Sequence, residues 1–195
     1  MYVYYYPASV YHMPFVSESA MNFKYAQRLL WEQHTIWTRA TIVSLIFDLP
    51  DTEFTVARLL KNPQDMGDSI KPYYGEQIGE KYASLLHEHL VIAADLVKAA
   101  KAGNNDSVEA LDKKWHKNAD DIAELLSTIN PYLELQATQE MLYHHLDLVK
   151  EEAVAILQKD YRLAIEVFDK AELQALLMAD QISSAIMKQF PGYFV

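Results

Sequence analysis

Leu85-Leu86-His87-Glu88-His89-Leu90-Val91-Ile92-Ala93-Ala94-Asp95-Leu96-Val97-Lys98-Ala99-Ala100-Lys101-Ala102-Gly103 is the stretch on which the fold turns. Tyr82, Leu86, His89, Ala93, Leu96 and Ala100 recur at intervals of three and four, which is one face of an α-helix, and Gly103 is a natural stop. The charge-capable residue on that inward face is a histidine. His87 points to nearly the opposite side and reads as exposed.

Outward from this segment the same texture fills the chain. Only five glycines and seven prolines punctuate 195 residues, and they fall between long runs of helix formers rather than at the short intervals of a β-protein. The spacing predicts helices over 18–48, 76–102, 106–129, 134–159 and 160–189, with a shorter one starting near 51. Pro50, Asn62-Pro63, Lys71-Pro72-Tyr73-Tyr74-Gly75 and Asn130-Pro131 supply the breaks, and Asp106 with Glu109 reads as an Asp-led capping box. The joint near 160 is the least marked boundary.

The expected fold is therefore all-α: an antiparallel bundle of four to five long helices, ferritin-like in broad architecture, with 51–74 as a short helical cap or crossover. No internal repeat is visible. Residues 1–17 form a Tyr-rich arm, 18–190 a single bundle domain and 191–195 a tail. The first 16 residues carry Tyr2, Tyr4, Tyr5, Tyr6 and Tyr11 and no charged side chain. Two readings follow: the rings pack on the chain's own bundle, or they dock on another subunit and make a homo-oligomer.

Twenty-seven acidic residues against 17 basic ones leave a net charge of -10, which repels polyanions and argues against nucleic-acid binding. There is no cysteine, so thiolate catalysis and Cys-ligated metals are excluded, and any metal is held by nitrogen and oxygen. No apolar run approaches the roughly 20 residues that span a bilayer, and the start lacks the features of a secretory signal. A cytoplasmic protein is expected.

Three histidines lie inside the hydrophobic stripes, one on each of three long helices. His34 shares a line with Leu30, Trp37, Thr41 and Ser44, and beside it runs an apolar line of Leu29, Ile36, Ala40, Val43 and Phe47, which places the polar line toward an interior. His89 sits on the face described above. His145 shares a stripe with Leu142, Val149 and Glu152, while Asp180 on the last helix lies between hydrophobic turns, where a carboxylate needs an ion pair or a cation.

His34, His89 and His145 with Glu152 and Asp180 form a donor set suited to non-haem Fe, Mn or Zn; Glu32 and Asp121 read as surface residues, with a role as outer partners the lesser alternative. The competing reading makes the histidines hydrogen-bonding residues of the core. Glu-x-x-His and His-Glu-x-x-His are both absent, which disfavours a ferritin di-iron centre and zinc-protease chemistry, and no Gly-rich phosphate loop provides for a nucleotide. The expectation is a metal-binding bundle acting as an oxidoreductase or in metal handling; the alternative is a non-catalytic structural or self-assembling protein.

Leu29-Leu30-Trp31-Glu32-Gln33-His34 with Trp37-Thr38-Arg39, Arg58-Leu59-Leu60-Lys61-Asn62-Pro63, Asn118-Ala119-Asp120-Asp121-Ile122 and Met178-Ala179-Asp180 followed by Gln189-Phe190-Pro191 resemble an uncharacterised helical-bundle family of spore-forming Firmicutes. The resemblance covers most of the chain, including the Tyr-rich start. It implies a helical fold and a bacterial, spore-associated setting, and it does not select the chemistry.

Overall fold

The structure, a computed structural model, describes residues 17–195. Residues 1–16 of the Tyr-rich arm lie outside the described residues. Seven α-helices follow in order: α1 (Glu18–Phe47), α2 (Thr52–Leu59), α3 (Asn62–Tyr74), α4 (Glu76–Lys101), α5 (Asn105–Ile129), α6 (Leu135–Leu157) and α7 (Tyr161–Gln189). A 3-10 turn over Pro191–Tyr193 closes the chain. No strand occurs among the described residues, and no helix is long and apolar enough to cross a membrane.

Local chemistry sets the boundaries. Ser17 Oγ caps α1 by accepting from the Ala20 N–H, and Asp48 ends the helix in the left-handed region at φ 51°. Pro63 occupies the first turn of α3, where its missing N–H costs nothing. Asn104, not the expected Asp106, caps α5 through the Ser107 N–H, because Gly103 at φ 70° has already turned the chain. The weakly marked joint is a real break: Lys159 turns at φ 62° and Asp160 caps α7 through the Leu163 N–H.

Helix contacts give a simple plan. α1, α4 and α6 are inner helices, and each remaining long-axis position is filled by a helix bridging two of them: α3 touches α1 and α4, α5 touches α4 and α6, and α7 touches α6 and α1. The short α2 is a link from α1 to α3, and the long helices α1, α3, α4, α5, α6 and α7 alternate in direction, so the three inner helices run the same way: His34 and Arg39 of α1 meet His145 and Glu152 of α6, and the C-terminal Lys101 of α4 reaches the Leu45 carbonyl near the end of α1. At the base, the C-terminal ends of α3, α5 and α7 are tied together. Tyr74 Oη donates to Gln189 Oε1 (2.8 Å), Asn130 Nδ2 donates to Tyr74 Oη (2.8 Å), and Gln189 Nε2 donates to the Ile129 carbonyl (2.8 Å).

The 51–74 region thus contributes more than a lid, since α3 lies along α4. Gly67 and Gly79 make that approach feasible: a Cβ at Gly67 would stand 2.5 Å from the Gly79 carbonyl oxygen. The tail is also docked. Phe194 stacks on Tyr73 (5.4 Å) and lies beside Phe23 (5.2 Å), and Ser17 Oγ donates to its carbonyl (2.6 Å).

Candidate functional site

Because the inner helices are parallel and in register, His34 on α1, His89 on α4 and His145 on α6 reach the same level of the bundle. All three are buried. The His34 and His145 rings are 5.7 Å apart, centroid to centroid, and those of His89 and His145 are 6.5 Å apart.

Each ring is held in the same way by the outer helix that follows it. His34 Nδ1 meets Asn62 Oδ1 (3.1 Å), His89 Nδ1 meets Asn118 Oδ1 (2.9 Å) and His145 Nδ1 meets Gln174 Oε1 (3.1 Å). The amide nitrogens donate to backbone carbonyls one turn before each histidine: Asn62 Nδ2 to Leu30 (2.9 Å), Asn118 Nδ2 to Leu85 (3.0 Å) and Gln174 Nε2 to Met141 (3.0 Å). The amide lies 28, 29 and 29 residues after its histidine, and the carbonyl 32, 33 and 33 residues before the amide. A threefold repeat that no sequence similarity announces is therefore written into the polar contacts.

The arrangement settles the ring tautomer. A carbonyl only accepts, so each amide must turn its NH2 toward it and its oxygen toward the imidazole. The oxygen in turn requires a proton on Nδ1. In the neutral ring the Nε2 lone pair is then left free, and among the described residues no hydrogen bond engages any histidine Nε2. Neutrality is enforced by burial, which lowers all three pKa values, those of His89 and His145 to about 3, where the His34 ring adds to the effect of burial.

Glu152 is the one expected carboxylate that reaches this place. It is buried and, with Thr38, lines a cavity of about 10 Å³ between His34 and His145. Its oxygen is taken by Arg39, which also lies 4.8 Å over the Phe168 ring, so α1, α6 and α7 are stitched together there. Burial raises the Glu152 pKa and Arg39 opposes the shift.

Asp180 does not line that cavity. It pairs with Arg28 (2.7 Å) and Lys24 (3.3 Å) toward the surface, because the buried face of α7 runs through Ala175, Met178, Ala179 and Ile182 and Asp180 lies on its flank, on the line of the exposed Leu173. The apolar line on α1 is likewise outward, with Leu29 57% and Ile36 43% exposed, so the polar line is buried for a different reason than its neighbour suggested. Neither Glu32 nor Asp121 backs a histidine; Asn62, Asn118 and Gln174 do. Among the described residues no group of three or more His, Asp or Glu side chains stands at the spacing of a metal site. No family model, curated protein or solved structure matches the chain.

Proposed function

We propose that the chain is a metal-binding helical bundle in which His34, His89 and His145 take one Fe, Mn or Zn ion through Nε2, in an oxidoreductase or metal-handling role with no nucleotide. One observation carries the reading: three neutral imidazoles gathered at one level, each with Nδ1–H committed to an amide oxygen and the Nε2 lone pair unspent. That is the state a ligating histidine requires, with the second nitrogen oriented by an outer hydrogen bond. A bound ion would have to draw the three Nε2 atoms to a metal–nitrogen distance of about 2.0–2.1 Å. Glu152 is a reserve ligand whose Oε1 is already held by Arg39, and Asp180 stands outside the set. The resemblance noted above supports a cytoplasmic or spore-associated setting in a spore-former.

Metal content of the purified and the reconstituted protein is the test. One ion per chain is expected, lost in His34→Ala, His89→Ala and His145→Ala and kept in His87→Ala, whose ring is exposed. No stoichiometric metal after reconstitution, with stability indifferent to chelators, defeats the proposal.

A second reading, self-assembly, has an observation of its own. α1 and α7 pack side by side and expose Tyr25, Leu29 and Ile36 on one and Ile165, Leu173 and Leu177 on the other. Sedimentation of Leu29→Glu, Leu173→Glu and a chain lacking residues 1–16 separates the cases: a shift to smaller species supports assembly through this strip or through the arm.

A further inference from the structure

The residues one turn beyond the three histidines, toward the C-terminal ends of the inner helices, are Thr38, Ala93 and Val149. They are smaller than the rings below them and leave a chamber of about 30 Å³, bounded farther up by Thr41, Val97 and Ala153 and at the side by Trp115. Thr38 and Val149 line this chamber and also the small cavity at His34 and His145, so the two spaces share a wall. At its outer edge stands Lys150, which pairs with Asp112 of α5 (3.1 Å) and Asp147 (3.2 Å).

We propose that this chamber is a binding site for a small apolar molecule of diatomic size, dioxygen being the chemical class, entered beside the Lys150–Asp112 pair. Its role as antechamber to a metal rests on the function proposed above; its occupancy does not.

Size and chemistry select the guest. A cavity holds a water once it offers roughly 10–15 Å³, but that water needs two to four polar partners. The surface that faces the chamber is almost wholly apolar: the Thr38 and Thr41 hydroxyls and the Trp115 indole N–H have no hydrogen-bond partner, but each of these atoms is covered by its neighbours and offers a water next to no polar surface, and Lys150 contributes its stem. Dry apolar voids take up apolar gases, which need only dispersion contacts. Anything larger than a few atoms is excluded by the volume.

The experiment uses the chelator-treated chain, so that it is independent of metal content. Under xenon pressure, diffraction is expected to show xenon between Thr38, Ala93 and Val149. Under oxygen pressure, the Val149 and Val97 methyls are expected to show the strongest paramagnetic relaxation. Ala153→Leu fills the chamber and lowers xenon occupancy by about tenfold or more, because the guest loses its contact volume. If Ala153→Leu does not fold, Ala93→Val makes the same intrusion from α4. No xenon at this position, full occupancy in the filled variant, or ordered waters bonded to Thr38 and Thr41 in its place overturns the proposal. Failure of the metal reading appears separately, in the metal content of the untreated protein.

Discussion

Around the cavity where His34 and His145 meet Glu152, one wall is made of neutral rings and the other of an ion pair. The rings spend one nitrogen on the fold and keep one free; Glu152 spends Oε1 on Arg39, which balances its charge. Burial acts on both, but with opposite consequences. It strips protons from the histidines, which makes them better donors of a lone pair, and it pushes the carboxyl toward its protonated form, which makes Arg39 a necessity. Residues of ligand type are thus distinguished by what already holds them, not by burial alone.

Acid gives the largest effect by which the contrast can be broken. His89 and His145 titrate at about 3 in the fold, against the ordinary 6.5, so the unfolded chain gains protons first as the pH falls. Their stabilising contribution is complete above pH 6.5 and declines below it, by about 2 kcal/mol for each ring at pH 5. Glu152 works the other way, since its raised value relieves the fold as the pH drops past that value toward 4.5. Urea titrations at pH 7 and pH 5 read the sum; equal stability at the two would mean that the rings are not held neutral.

Asn118→Leu comes next. It leaves the His89 Nδ1–H without its acceptor and frees the ring to turn, at a cost of about 2–3 kcal/mol in unfolding free energy. Metal affinity should drop by about 10–100-fold, as it does when outer partners of ligating histidines are removed. Full affinity in this variant would detach the amides from any role in orienting the rings.

Glu152→Gln is expected to cost about 1 kcal/mol, because the partly exposed Arg39 can turn to water and the amide still accepts a bond. Metal content should hold, and its loss would promote Glu152 from structural partner to ligand. Asp180→Asn, at the surface, should stay within about 0.5 kcal/mol and leave the metal untouched.

Helix periodicity carried most of the fold, since Tyr82 through Ala100 and the His34 and His145 stripes each mark a buried face that the structure keeps. The common depth of the three histidines was legible for the same reason. Their partners were not. Asn62 stands in an Asn-Pro pair that reads as a helix break, yet its amide turns inward from the first turn of α3. Asn118 and Gln174 sit on helices whose faces do not single out an amide. The signal was the near-constant offset of 28 or 29 residues, which gains meaning only once each histidine helix is known to be followed by an antiparallel bridging one. Asp180 lies beside the buried Met178, Ala179 and Ile182 but on the flank of their face, and a difference of one stripe around a helix decides between core and surface.

The amide locks place three ring protons deep in the bundle, each between an inner helix and the outer helix that backs it. Each proton is expected to exchange as its own outer helix lifts away. Hydrogen exchange at the three Nδ1 positions would therefore time the breathing of α3, α5 and α7 one by one, a set of internal clocks showing whether this bundle opens as three units or as one.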